Sequence, residues 1–225
     1  MLFHPVLFFS KGIKSREEIG GLFITDDHDI EVMIIKTKAL ESVLNVFCSK
    51  EKIKEFEKVK GISIRDALFI LGKEIGYLKL ANKVYDLGLV FKPKDTEGNQ
   101  INYTNFVCDK KLEFLGVDKL IDTIINYSRN KSEIIKSREK ISEKLSAINS
   151  QELDLMQLVN GHDLSNFLYI LMKKILKSRN RMLNDFNCVE DSLILAYEFK
   201  HFKETELFSQ IVDWSKLNGV HFFED

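Results

Sequence analysis

Proline and glycine are scarce, with only Pro5, Pro93 and 11 glycines in 225 residues. Few positions therefore interrupt a helix, and long helices have room to form. The three cysteines, Cys48, Cys108 and Cys188, lie far apart and form no C-x-x-C. That spacing excludes a zinc ribbon or a disulfide framework and predicts a reduced, cytoplasmic chain. Neither sign of charge prevails: the net charge is −1, so affinity for nucleic acid must come from a local patch. No apolar stretch reaches the ~18 residues that a bilayer span needs, so no membrane is expected. The apolar start Met1–Phe9 is interrupted by Pro5. It has no basic residue before it and no small-residue cleavage site after it, so no signal peptide is expected. Glycine-rich phosphate loops of Walker type, G-x-S-x-G elbows and H-E-x-x-H pairs are also absent, which leaves a self-contained ATPase or hydrolase without support.

What is present is an ordinary globular mixture, 44% hydrophobic and 30% charged, with 17 phenylalanines to fill a core. Residues 1–9 and 21–25 read as strands or buried extended segments, with a polar loop between them. A helix is expected from near Asp27, capped by Thr25 or Asp26, with Leu40, Val43, Leu44 and Phe47 at helical spacing. A charged helix follows over Lys50–Val59. Ser63 then caps an amphipathic stretch through Ala67, Leu68, Leu71, Ile75 and Leu78. Tyr85–Phe91 and Ile101–Val107 read as two short strands around the turn-rich loop 92–99. After Gly116 the pattern is almost all helical. Apolar stripes run through Leu120–Ile125, Ile134–Ile148, Phe167–Leu176, Val189–Phe199 and Glu204–Leu217, and His221–Phe223 is a final strand.

Three clusters could carry chemistry. The densest is Asp26-Asp27-His28-Asp29-Ile30-Glu31, four carboxylates and an imidazole directly after an apolar stretch. Magnesium takes hard oxygen ligands, usually one or two carboxylates plus water and phosphate. The same acids at a helix start would also offset the macrodipole and cap free N–H groups, and the spacing leaves both readings open. The second cluster is Asn160-Gly161-His162-Asp163-Leu164, where Gly161 allows a tight turn and Asp163 is a candidate N-cap. His162 could act as ligand or general acid, or hydrogen-bond its own turn. The third is Lys173, Lys174, Lys177, Arg179 and Arg181, five cations with no acid among them. Such a stripe could neutralise phosphates or be a solvated helix end.

Several segments together resemble a family. They are Leu22–Ile34 with its Thr-Asp-x-His-Asp-Ile-Glu pattern, Ile75–Lys79, Asn160–Leu164, Asp191–Tyr197, Phe202–Phe208 and Ile211–Trp214. In this order they resemble the bacterial TOPRIM-like proteins that include the effector of PARIS-type anti-phage systems. The resemblance covers residues 20–223. It implies a TOPRIM-type α/β core with a helical portion, magnesium, cleavage of nucleic acid, and an ATPase partner that senses phage. Asp26, His28, Asp29 and Glu31 fall on positions that this pattern keeps acidic or imidazole, whereas Asp27 falls on a variable one. The family's early glutamate, in a Val-Glu-Gly-like turn, and its Asp-x-Asp strand end have no counterpart before Thr25.

The expected architecture is therefore α/β and helix-rich. A partial TOPRIM-like region spans 1–110, and a mainly helical region, 111–225, closes back on it. The expected function is that of a partial nuclease-family protein, weak or inactive alone. His28, Glu31 and His162 would be catalytic, and Asp26, Asp29 and Glu31 would hold magnesium. The five cations at 173–181 would meet nucleic acid, and an exposed sheet edge could pair with a second copy. The alternative is a non-catalytic module that docks an ATPase partner or nucleic acid.

Overall fold

Helix caps written in the sequence set most of the element starts. The computed structural model describes residues 22–92, 100–220 and 222–223. The chain enters extended at Leu22–Thr25 and bends through Asp26–Asp29 into α1 (Ile30–Ile35). It continues into α2 (Ala39–Phe47) and α3 (Lys50–Lys60), the latter capped by Ser49 and ended by Gly61 at φ 70°. Ser63 caps the long α4 (Ile64–Tyr85). A 3-10 turn (Tyr103–Asn105) precedes β1 (Val107–Cys108) and β2 (Glu113–Phe114), an antiparallel pair in the register Val107 to Phe114. The remainder is helical: α5 (Val117–Ser128), α6 (Arg138–Asn149), α7 (Leu155–Leu158) and α8 (Gly161–Ile170). Helix α8 runs on into a π turn (Leu171–Ile175), closed by Leu176 N–H on the Leu171 carbonyl at 2.8 Å. Asp185 caps α9 (Phe186–Ala196), and α10 (Phe199–Lys203) and α11 (Glu206–Asn218) complete the chain.

Helix α4 is the central element. Its Leu68, Ile75 and Leu78 are fully buried, each such side chain contributing about 1.5–3 kcal/mol by leaving water. It packs against α6, α7 and α8, so the segment beyond residue 110 closes back on it. Gly76 permits the closest approach: a Cβ there would lie 2.7 Å from the Leu158 carbonyl oxygen of α7. Glycine inside a helix costs about 1 kcal/mol against alanine, and here it lets two backbones meet.

The helix-rich part of the expectation is met, and several local readings are corrected. Among the described residues the only sheet is β1–β2, and no central parallel sheet is present. The expected strand 85–91 begins inside α4 and then continues without regular structure, through positive φ at Asp86 and Gly88. Side chains satisfy its backbone instead. Asn82 accepts from Leu89 N–H at 2.8 Å and donates to Leu89 O at 2.9 Å, while Ser128 Oγ accepts from Val90 N–H at 2.9 Å. The expected strand 101–107 is mostly the 3-10 turn, initiated by Asn102. Leu22–Thr25 is extended but unpaired, and Phe222 and Phe223 form no strand. Residues 1–9, Gly21 and His221 lie outside the described residues. Helix α1 starts at Ile30, not near Asp27, and its cap is Asp29 rather than Thr25 or Asp26.

Asp26 has a more distant task. Its Oδ2 accepts from Glu206 N–H at 2.8 Å and its Oδ1 from Leu207 N–H at 2.9 Å. The carboxylate thus caps the first turn of α11, beside Thr205, which serves Phe208 N–H. Only Leu207 and Ser215 of α11 are buried, so this cap is a large share of what seats the helix. Asp26→Ala is expected to cost about 1–2 kcal/mol and to speed amide exchange in the first turn of α11. Unchanged exchange at Leu207 would show that the cap is not held in solution.

Candidate functional site

The acidic run turns its oxygens toward backbone N–H groups. Asp29 Oδ1 accepts from Val32 N–H of α1 at 3.0 Å. Its Oδ2 accepts from Gly161 N–H at 2.8 Å and from Asn160 Nδ2 at 3.0 Å. One carboxylate therefore serves the free N–H groups of two helices, α1 and α8, where negative charge also suits both macrodipoles. Burial raises the Asp29 pKa against the pull of these N–H groups. Glu31 is raised too, first by burial and then by the Asp29 charge. The hydrogen bond between the two carboxyls pulls the Asp29 pKa down and pushes that of Glu31 further up. Gly161 makes the approach possible, since a Cβ there would lie 2.2 Å from Glu31 Cβ.

The neighbours of Asp29 are held elsewhere. Asp27 pairs with Lys36 Nζ through both oxygens, at 2.9 and 2.8 Å. His28 is buried, with its N–H on Met156 O at 2.9 Å and its ring Nδ1 2.7 Å from Gln157 O. The neutral tautomer with hydrogen on Nδ1 satisfies that contact. Burial lowers the His28 pKa to about 4. Gln157 Nε2 also donates to Asp26 O at 2.7 Å, which fastens the whole run to α7.

Behind this layer Asp163 is 1% exposed. It is not the N-cap of α8. Its Oδ2 takes Lys79 Nζ of α4 at 2.5 Å, and its Oδ1 accepts from the Tyr103 hydroxyl at 2.7 Å. Lys79 reaches Asn160 Oδ1 as well, at 3.3 Å. Burial and the adjacent carboxylate push Tyr103 well above the usual phenol range, keeping it a donor. His162 lies nearer the surface, its Nδ1 2.9 Å from Glu190 Oε1 and its ring edge-to-face with Phe186. The Glu190 hydrogen bond raises the His162 pKa. With Nδ1 engaged, Nε2 is the nitrogen left for a ligand.

These groups share one cleft of about 880 Å³. His28, Asp29, Glu31, His162 and Asp163 line it together with Lys79 and Tyr103. Asp26 does not line it. Among the described residues no group of three His, Cys, Asp or Glu side chains is placed to hold a metal ion. The set Asp26, Asp29 and Glu31 is therefore not brought together, because Asp26 caps α11 while Asp29 joins α1 to α8. No protein-family model, curated protein or solved structure matches the chain.

The cationic segment lies away from the cleft. Lys173 Nζ donates to Leu183 O at 3.0 Å. Lys174, Lys177, Arg179 and Arg181 are exposed and make no ion pair among the described residues. Ser178 Oγ donates to Phe47 O at 2.6 Å and Lys52 Nζ to Leu176 O at 2.8 Å, so the segment is fixed on the ends of α2 and α3. Lys79, Tyr103 and Glu190 are not among the candidate residues that the sequence marks. Lys79 ends the Ile75–Lys79 segment and Glu190 precedes Asp191–Tyr197, so both were within reach. Tyr103 follows the loop 92–99 without any pattern to mark it.

The buried histidine has a measurable sign. Its folded pKa, about 4, lies below its ordinary value of 6.5. The stability it contributes is fully present above pH 6.5 and is lost as pH falls toward 4, by at most about 1.4 kcal/mol per pH unit. Asp29 and Glu31, raised in the fold, act in the opposite sense on acidification. Urea unfolding between pH 7 and pH 4 is expected to show a decline that His28→Gln flattens. An unaltered slope in the variant would place the titration elsewhere.

Proposed function

We propose that this chain carries part of the active cleft of a cytoplasmic, TOPRIM-like, magnesium-dependent nuclease of anti-phage defence, and is weak or inactive by itself. One observation carries the reading. Segments that the resemblance picks out far apart in sequence touch one another in the fold, and three of them line one cleft. The acidic run touches Asn160 and Gly161 through Asp29, and Glu206 and Leu207 through Asp26. Lys79, from a third segment, holds Asp163. A motif set with no shared site has no reason to converge in this way.

The sheet of a TOPRIM fold is not among the described residues, so the reading rests on this helical wall. Magnesium does not find its ligand set among the described residues: Asp29 is engaged by three N–H donors and Asp26 by the first turn of α11. What the wall offers is Glu31 and His162 as proton carriers, and Lys79 and Asp163 as a fixed pair behind them. The missing contributions are those of the family's upstream glutamate and Asp-x-Asp. An ATPase partner belongs to the same proposal.

A test begins with purified chain, magnesium, and tRNA or DNA, where little or no cleavage is expected. The genomic DNA upstream of Met1 is expected to encode an in-frame Val-Glu-Gly and Asp-x-Asp segment. A chain extended by that segment is expected to cleave, with turnover lost on Glu31→Ala. Robust cleavage by the chain alone, abolished by Glu31→Ala, would show that the site is already complete. An extended chain that stays inert with its ATPase partner present would sink the nuclease reading.

The alternative, a nucleic-acid-binding module, is favoured by one feature, the exposed cations Lys174, Lys177, Arg179 and Arg181, which make no ion pair among the described residues. Anisotropy titrations over a range of salt are expected to give a steep logarithmic slope. The Lys177→Ala, Arg179→Ala double variant should reduce it by roughly 1.5. An unchanged slope would remove this segment from any nucleic-acid surface.

A further inference from the structure

We infer that the cleft holds a single nucleoside 5′-phosphate, its phosphate at Lys83 and Lys92 and its planar base against Phe91. The inference rests on the nuclease reading for the class of polymer and goes beyond it in naming the unit held. Acids line part of the cleft; α4 and the residues after it line another part, which has a different character.

Charge is the first argument. Gly76, Lys79, Leu80 and Lys83 line the cleft from one face of α4, at the i, i+3, i+4, i+7 spacing that puts them in one row. Lys79 is neutralised by Asp163. Lys83 and Lys92 also line the cleft, are exposed, and have no carboxylate partner among the described residues. Two such cations lining one cleft suit one phosphate, not a long polyanion.

Shape and polarity are the second. The cleft is about 880 Å³, within the ~300–1,000 Å³ typical of small-molecule sites. Phe91 is half-buried and lines it beside Leu80 and Ile101, leaving an apolar wall against which a base can stack. Tyr127 also lines it, and its hydroxyl is shut off from solvent without a hydrogen-bond partner among the described residues. A buried hydroxyl left unsatisfied is costly, and a ribose or base polar group would satisfy it. An acidic peptide would meet the lysines but leave the aromatic wall and this hydroxyl unserved.

The test is calorimetric titration of the intact chain in EDTA, so that no cleavage intervenes. The probes are adenosine and uridine 5′-monophosphate, adenosine, inorganic phosphate, and a short single-stranded RNA. At least one monophosphate, or the RNA, is expected to bind more tightly than phosphate. Lys83→Ala and Phe91→Ala should each weaken that binding about tenfold, and Tyr127→Phe by a smaller factor with the ring retained. Lys83 is exposed, so its variant should unfold at the parent temperature. RNA that displaces a bound monophosphate identifies the unit as a nucleotide extruded from a strand; a monophosphate that RNA cannot displace identifies a free nucleotide. Phosphate binding as tightly as every nucleotide, no binding by monophosphate or RNA, or binding indifferent to both Lys83→Ala and Phe91→Ala would each overturn the inference. Nucleotide binding without cleavage by the extended chain would sink the nuclease reading alone. Cleavage without nucleotide binding would sink this inference alone.

Discussion

The carboxylate of Asp29 joins the start of α1 to the start of α8, and the cleft depends on that junction. Each helix leaves free N–H groups at its first turn, and burying those groups unpaired would be costly. Asp29 answers both at once, through Val32 and Gly161. The demand is tight enough that position 161 has no room for a side chain. With α8 so placed, Asp163 falls against Lys79 and Tyr103, and His162 against Glu190. A buried pair such as Lys79–Asp163 adds little net stability, but losing one partner leaves an uncompensated charge. The arrangement therefore resists piecemeal change.

An acidic run before an apolar stretch has two physical uses, and both satisfy the same need. Carboxylate oxygens seek concentrated positive charge, which a divalent ion or a row of helix N–H groups can supply. In this chain the described structure gives Asp26 and Asp29 the second. Residue spacing alone does not separate the two, because an N-cap and a metal ligand ask for the same side chain. The difference lies in where α8 and α11 begin, more than 130 residues away, and no local pattern encodes that.

The parts of the fold that were legible are those governed by local chemistry. Ser63 and the stripe from Ala67 to Leu78 form a helix start and a buried face as their spacing implies. The same holds for Leu120, Ile121 and Ile124 of α5 and for Ile141, Leu145 and Ile148 of α6. The strands at 85–91 and 101–107 were misread for one reason. Their β-branched and aromatic residues suit an extended backbone, but 87–91 forms no regular element and Gly88 sits at φ 76°. A sheet also needs a neighbouring strand, and here the amide of Asn82 and the hydroxyl of Ser128 take that neighbour's place. At the site, Asp29, Glu31 and His162 were within reach of pattern. Tyr103 was not, because its meaning comes only from the carboxylate it meets across the core.

The π turn after α8 carries a consequence for how this chain tolerates length changes. A turn closed five residues back holds one residue more than an α-helical turn. The wide turn takes up that residue, and beyond it Ser178 meets the Phe47 carbonyl. Deleting one residue from the regular turns of α8 would rotate everything downstream by about 100° and swing Ser178 and the cations beyond it away. A deletion within Leu171–Ile175 is instead the length change that a return to regular winding can absorb, so the tolerance of this helix to deletions is concentrated in its last, widest turn.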